Sequence, residues 1–163
     1  MSASHISVQH EDFDPGAETA ALGEGRTDIG AVASFAGYVR DANDGSGVLA
    51  MTLEHYPGMT ERALGEIVEQ SRARWSLLGV RVIHRVGRLV PGDRIVFVAV
   101  AASHRGEAFA ACEFIMDYLK TRAPFWKREE TPEGARWVDA RESDDVAADK
   151  WSDAKCSDAK GRH

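Results

Sequence analysis

Three short segments of the sequence carry side chains that could bind an anion or move a proton. The first is Ser103-His104-Arg105, which follows a continuous apolar run and precedes a helical pattern. A helix start offers free backbone N–H groups and the positive end of the helix dipole, and an arginine adds a bidentate fork for phosphate. His104 could bind the same anion or transfer a proton near neutral pH. The structural alternative is that Ser103 caps a helix while His104 and Arg105 are exposed residues without a role.

The second segment contains Lys120 and Lys127, which lie on either side of Pro124. Lys120 falls in the last turn of a predicted helix, where a cation is favourable for structural reasons alone. The adjacent Phe125 and Trp126 could form an apolar wall that lowers a lysine pKa, as an acid–base or nucleophilic lysine requires, or they could be ordinary core residues. Because Pro124 ends the helix, the two lysines need not share a face.

The third segment, Tyr38-Val39-Arg40, ends a predicted strand just before a glycine-rich loop. An arginine at the end of a strand is often only solvated, so a site requires the three segments to converge. No metal centre or cofactor is expected, because the histidines show no H-x-x-x-H spacing and neither Cys112 nor Cys156 has a neighbour at ligand spacing. Cys112 falls on an apolar helical stripe and is predicted to be an inert core thiol.

The charge distribution favours a local anion site. The net charge is −6, which argues against general nucleic-acid binding. Residues 81–128 nevertheless carry nine cations and four anions, so this stretch is +5 while the remainder is −11. The alternative is that these cations lie on ordinary solvated faces.

The length of 163 residues fits one domain, which we place at residues 1–151. Residues 152–163 repeat Ser-Asp-Ala-Lys and are predicted to be a disordered tail. No apolar run is long enough to span a membrane, and the N-terminus does not resemble a signal peptide, so we expect a cytoplasmic protein.

The hydrophobic patterns predict an α+β fold in which antiparallel pairing is prominent. We expect a mobile loop at 41–47 and helix N-caps at Asp14, Thr60 and Ser103. Phe109, Cys112, Ile115, Met116 and Leu119 should form the buried stripe of the third helix. The predicted strands are 4–8, 30–40, 48–56, 80–89, 94–102 and 135–140, with 80–89 and 94–102 forming a hairpin, and the predicted helices are 17–22, 60–75 and 105–121.

Several of these stretches together resemble a known enzyme family. The segments GAVASFAGYVRD, LEHYPGM, IHRVG, PGD, SHR and FIMDYLKTRAPFWKRE are similar to the large, catalytic subunit of molybdopterin synthase. The resemblance covers about residues 30–151, and its DYLKTRAPFWKRE block is long and specific.

The resemblance implies a sulfur transferase that converts cyclic pyranopterin monophosphate (precursor Z) into molybdopterin. The sulfur would come from the C-terminal Gly-Gly thiocarboxylate of a small ubiquitin-like subunit. It also implies a homodimer that forms a heterotetramer with two small subunits, and an α/β-hammerhead-type fold with an added antiparallel β subdomain.

The resemblance further implies catalytic roles for Lys120 and Lys127, while their individual roles stay open. Arg40, His104 and Arg105 match phosphate-binding residues, and Arg128 and Arg141 match further basic residues near the pocket. The whole predicted substrate-binding set is Tyr38, Val39, Arg40, His104, Arg105, Lys120, Lys127, Arg128, Glu129 and Arg141.

Two other functions would use parts of the same set. A non-catalytic binder of a phosphorylated pterin or nucleotide would need His104 and Arg105 but not the two lysines. A structural partner of a ubiquitin-like protein would bind the tail of that protein without a phosphate site.

Overall fold

The computed structural model describes residues 3–43, 45–138 and 142–153. Within them lie ten strands and four helices. In chain order these are β1 Ala3–Gln9, α1 Pro15–Gly23, β2 Ala31–Tyr38, β3 Ala42–Asn43, β4 Ser46–Gly47, β5 Ala50–His55, α2 Met59–Arg74, β6 Leu77–Arg85, β7 Gly87–Leu89, β8 Arg94–Ala102, α3 Arg105–Arg122, β9 Phe125–Thr131, β10 Gly134–Val138 and α4 Glu142–Asp153. None of the helices in these residues is long and apolar enough to cross a membrane.

The first sheet has the strand order β1-β6-β8-β2, with β1 parallel to β6 and the other pairs antiparallel. The predicted hairpin pairing of β6 with β8 is confirmed. Residues 96–102 of β8 are fully buried because both faces of the strand are covered. Val98 and Val100 belong to the core cluster formed with α2 and α3, while Phe97 and Ala99 pack with Phe13 and with Leu22 of α1. The continuous apolar run of the sequence reflects this burial on both sides.

The second sheet is antiparallel, with the order β10-β9-β5-β7, and confirms the expected α+β class and added antiparallel unit. The prediction of one strand over residues 80–89 is wrong, because the chain passes from the first sheet to the second after Arg85. Gly87 begins the second strand with a φ of +90°, and a Cβ there would lie 2.8 Å from Nδ1 of His10. Glycine is therefore the residue that permits the change of sheet.

Two of the three predicted helix caps are wrong. Asp14 does cap α1, its carboxylate accepting from the N–H groups of Gly16 and Ala17. Thr60 lies inside α2, where its hydroxyl donates to the Tyr56 carbonyl. His104 rather than Ser103 is the N-cap of α3, since its carbonyl is the first to accept a helical hydrogen bond, from Ala108.

The buried face of α3 also differs from the prediction, because Phe109 is 66% exposed. Alanines occupy the face that packs on the first sheet, and their small size lets the helix approach the strands closely. The buried residues of α3 are Ala108, Ala111, Cys112, Phe114, Ile115, Tyr118 and Leu119.

Sequence analysis missed β9 and α4 and assigned β3 and β4, which form a short hairpin, to a loop. The α4 helix packs on α3, where the indole N–H of Trp151 donates to Asp117 at 2.7 Å and Lys150 pairs with the same carboxylate at 3.2 Å. This helix runs two residues past the predicted domain boundary. Residues 154–163, which hold most of the predicted tail and Cys156, lie outside the described residues.

Candidate active site

A cleft of about 290 Å³ lies where the ends of the first sheet and of α3 meet the second sheet. It brings together residues from two of the three segments singled out in the sequence. Tyr38, Arg40, Lys120, Lys127 and Glu129 line it, together with Asn43, Met51, His84, Ile95, Leu119, Ala123, Phe125, Val138 and Asp144.

The two lysines reach one cleft because the chain changes from helix to strand between them. Ala123 is extended, with φ −78° and ψ 132°, and Pro124 follows it. Side chains alternate between the two faces of a strand, so Phe125, Lys127 and Glu129 of β9 share a face and line the cleft. Arg128 lies on the opposite face and does not line it.

The end of β2 positions Tyr38 and Arg40. The pairing register with β8 shifts between Gly37 and Tyr38. Val39 then makes two backbone hydrogen bonds, its N–H donating to Asp93 at 2.9 Å and its carbonyl accepting from Gly92 at 2.8 Å. Its side chain is buried in the core and does not line the cleft. These bonds hold Tyr38 and Arg40 in place, and the predicted substrate contact of Val39 stays a prediction.

Glu129 connects three strands beside the cleft. It is 2% exposed, and Oε1 accepts from Nδ2 of Asn43 at 2.6 Å. Oε2 accepts from Nε and Nη2 of Arg136 at 3.2 and 3.0 Å. Because both carboxylate oxygens are engaged, Glu129 joins β9 to β3 and β10 and supports the cleft wall.

His104 and Arg105 lie far from this cleft within one chain. Both are exposed at the start of α3. Fifteen residues separate Arg105 from Lys120, which at about 1.5 Å per residue places them about 22 Å apart along the helix. Arg141 lies outside the described residues.

His84 lines the cleft and was missed by sequence analysis. Its ring is stacked on Phe125 at 3.8 Å between centroids, and Nδ1–H donates to the Arg85 carbonyl at 2.8 Å. Burial lowers the pKa of His84 to about 3, and the charges of Lys120 and Lys127 act in the same direction. The alternation along β6 could have identified this residue, because His84 lies on the same face of the strand as the buried residues Val80 and Val82.

The one cysteine among the described residues is buried, and burial raises the pKa of the Cys112 thiol to about 11. Across the same part of the chain, no three potential ligands of the His, Cys, Asp or Glu type are grouped as a metal site.

Comparison with known proteins decides the family. A family model described as MoaE protein matches residues 8–122. The chain belongs to the MoaE family. A "Molybdopterin synthase catalytic subunit" from Ralstonia nicotianae is 67% identical over 146 residues, covering 90% of this chain and 83% of the relative. The function of this MoaE chain is accordingly enzymatic and lies in molybdenum cofactor biosynthesis.

Solved structures agree with the MoaE fold. A MoaE protein from Burkholderia ambifaria is 57% identical, with a TM-score of 0.79 over 91% of this chain and 98% of that one. A protein–protein complex of subunits 1 and 2 of molybdopterin-converting factor from Helicobacter pylori contains a chain with a TM-score of 0.69. That chain is 16% identical over 83% of this chain and 91% of its own length, so it supports the fold alone.

We predict that Glu129→Gln lowers the free energy of unfolding by about 1.5–3 kcal/mol, because one donor from Asn43 or Arg136 then faces an amide nitrogen. Urea denaturation measures this. Glu130→Gln is the matched control, since that carboxylate pairs with Arg88 at the surface and its loss should leave the urea midpoint unchanged. Equal effects of the two substitutions would contradict the bridging role of Glu129.

We also predict that His84 makes stability depend on pH. Below about pH 6.5 the unfolded chain takes up a proton at this histidine, while folded His84 stays neutral down to about pH 3. The stabilisation that comes from keeping His84 neutral is therefore fully present above pH 6.5. As the pH falls from 6.5 towards 3, this stabilisation is lost, and the free energy of unfolding decreases by up to about 1.4 kcal/mol per pH unit. His84→Phe removes this contribution, so the stability difference between wild type and variant should shrink from pH 7 to pH 4. If urea titrations give the same stability difference between wild type and His84→Phe at pH 7 and at pH 4, His84 does not make stability depend on pH.

Proposed function

We propose that the chain converts cyclic pyranopterin monophosphate into molybdopterin, using the C-terminal thiocarboxylate of a small ubiquitin-like subunit as the sulfur source. The observation that carries the proposal is the cleft in which Arg40, Lys120 and Lys127 converge. Three cations in one cleft of an acidic protein suit a substrate phosphate and an incoming thiocarboxylate, which are both anions.

The two lysines are proposed as the catalytic groups. The thiocarboxylate sulfur supplies the nucleophile, so the reaction needs no protein thiol, and Cys112 is buried away from the cleft. One lysine ammonium group orients the thiocarboxylate and stabilises negative charge that develops as sulfur replaces oxygen. Proton transfer to the departing oxygen requires an acid near the pterin side chain, and either lysine can supply it. Attack by the thiocarboxylate forms a thioester between the pterin sulfur and the small subunit, and water hydrolyses it to leave the sulfur on the pterin and a carboxylate on the small subunit. A second thiocarboxylate delivers the second sulfur in the same way.

The position of His104 and Arg105 supports a site completed by a second copy of the chain. They lie about 22 Å along α3 from Lys120, so one chain cannot bring them to its own cleft. The outer strand β2 exposes Phe35, and the nearby start of α3 exposes Phe109. We propose that this apolar surface forms a homodimer in which His104 and Arg105 of one copy contribute to the phosphate site of the other.

One small subunit docked on each copy would complete a heterotetramer. The Helicobacter pylori complex is a precedent for assembly of two subunits on this fold. We further propose residues 1–151 as the catalytic domain and the cytoplasm as its location. The free thiol of Cys112 is compatible with a reducing compartment, and cell fractionation tests the location.

Lys120→Ala is expected to lower the rate of dithiolene formation by about 10²–10⁴-fold, because one positioned acid or charge-stabilising group is removed. The assay contains precursor Z and a thiocarboxylated small subunit. Lys150→Ala is the matched control, since Lys150 pairs with Glu113 and Asp117 on the outer side of α3. A non-catalytic binding module would predict unchanged ligand binding for both variants and no turnover even for the wild type.

His104→Ala and Arg105→Ala are each expected to weaken the binding of precursor Z by roughly 10- to 150-fold, because a charge-assisted contact is lost. Calorimetry measures the affinity. If the second copy supplies these residues, a mixed dimer of Lys120→Ala and Arg105→Ala chains contains one intact site. At a limiting concentration of precursor Z, this mixed dimer should be more active than either variant alone. Unchanged affinity in both single variants would rule out a phosphate site here, and a mixed dimer without recovery would rule out sharing between copies.

A further inference from the structure

Asp144 is a carboxylate of the cleft for which the proposed chemistry has no role so far. It belongs to α4, the helix that sequence analysis missed, and its side chain is partly buried. It lines the cleft together with Arg40, Lys120 and Lys127. A carboxylate opposes the binding of the two anionic substrates, so its place in the cleft points to a task other than attraction.

The packing of α4 on α3 brings Asp144 to the cleft. Lys150 of α4 pairs with Asp117 of α3 at 3.2 Å. Asp144 lies six residues before Lys150, which is about 9 Å back along α4. Lys120 lies three residues beyond Asp117, which is about 4.5 Å further along α3. Because both Asp144 and Lys120 line the cleft, the two helices run in opposite directions, and the start of α4 meets the last turn of α3.

The far end of α4 is anchored in the core, which gives Asp144 a rigid support. Ala148 is buried, and the Trp151 ring packs edge-on against the rings of Trp75 and Phe114, at 5.6 and 5.5 Å between centroids. Residues 144, 148 and 151 recur at helical spacing, so Asp144 lies on the same face of α4 as this anchor. A carboxylate on an anchored helix keeps its position relative to the cleft.

Asp144 is the cleft residue best suited to accept a proton. The arginine and the two lysines of the cleft act as cations in the proposed chemistry. Glu129 is 2% exposed, and its two oxygens are engaged by neighbouring side chains. Burial lowers the pKa of His84 to about 3, so this histidine is a weak base. No hydrogen bond or ion pair joins the Asp144 carboxylate to another residue that the structure describes, so its oxygens are available to a water molecule in the cleft.

The proposed reaction contains a step that needs such a group. After each delivery of sulfur, a thioester joins the pterin to the small subunit, and water must cleave it before the small subunit can leave. Water is a poor nucleophile at neutral pH, and a positioned base that removes its proton typically accelerates such a step by about 10²–10⁴-fold.

We propose that Asp144 is the general base that activates this water molecule, a role that rests on the proposed function. The Asp144 carboxylate takes one proton from the water, whose oxygen forms a bond to the thioester carbonyl carbon. A lysine ammonium group stabilises the negative oxygen of the tetrahedral intermediate. The carbon–sulfur bond then breaks, and its electron pair leaves with the pterin sulfur as a thiolate. The carboxyl group on the small subunit loses its proton to solvent, and Asp144 passes its proton to the thiolate or to solvent.

The role is tested with Asp144→Asn in a single-turnover reaction of the full-length chain with precursor Z and thiocarboxylated small subunit. We expect dithiolene formation to slow by about 10²–10⁴-fold, while a covalent adduct of pterin and small subunit accumulates and is detected by intact-protein mass spectrometry. The affinity for precursor Z, measured by calorimetry, should be unchanged or slightly higher, because a negative charge leaves the cleft.

Asp145→Asn is the matched control. Asp145 is the next residue of α4, is exposed and does not line the cleft. Its substitution removes a similar charge near the start of the helix, so it reproduces any loss of stabilisation through the helix dipole. We expect this variant to form dithiolene at the wild-type rate without accumulating adduct.

Asp144→Ala gives a second readout that a structural role would not change. Formate is a small carboxylate that fits the space of the missing side chain. We expect added formate to speed cleavage of the accumulated adduct several-fold in this variant but not in wild type.

The proposal is overturned if Asp144→Asn keeps the wild-type rate, if it slows without accumulating adduct, or if Asp145→Asn loses as much activity. Weaker binding of precursor Z without adduct would assign Asp144 to substrate binding, and formate without effect on a folded Asp144→Ala chain would also exclude a general base. These outcomes differ from failure of the proposed function, in which the wild-type chain itself forms neither adduct nor dithiolene.

Discussion

Pro124 imposes the constraint on which the geometry of the cleft depends. Its ring excludes the α conformation at Ala123, so α3 ends at Arg122 and the chain continues as a strand. In an uninterrupted helix, Lys120 and Lys127 would lie about 10 Å apart along one surface, with solvent between them. The change to β9 instead turns the second lysine towards the first across an enclosed space, where a ligand can contact both.

The cleft keeps a net positive charge, because three cations line it against the two carboxylates of Glu129 and Asp144. Glu129 is buried beside the lysines, but its two oxygens are already bound by Asn43 and Arg136. His84 is uncharged, and its hydrogen-bonding capacity is directed by the Arg85 carbonyl. Because Asn43 and Arg136 already bind the buried carboxylate, Glu129 can support the cleft wall without weakening the attraction of the cleft for an anion.

The sequence was informative where a periodic apolar pattern matched the final burial. The run 94–102 identified the central strand because both of its faces are covered, and the stripe on α3 identified the helix even though Phe109 faces solvent. Charged elements were missed, since FWKREET resembles a loop and α4 is rich in aspartate. Lys120 and Lys127 were singled out by their position on either side of Pro124, and the resemblance to a known family added their catalytic roles. The distance of His104 and Arg105 from the cleft followed only from the length of α3. Long-range contacts such as Asn43 with Glu129, 86 residues apart, leave no trace in local spacing.

The alternation along β9 also bears on how this segment can diverge among relatives. An insertion or deletion of one residue between Phe125 and Glu129 would move every later side chain to the opposite face of the sheet. The cleft would then receive Arg128 or its neighbour, and the carboxylate that joins three strands would point to the outer surface. A change of two residues would preserve the facing but shift the ladder with β5. The fold therefore constrains the length of this strand more strictly than the identity of the residues on its outer face.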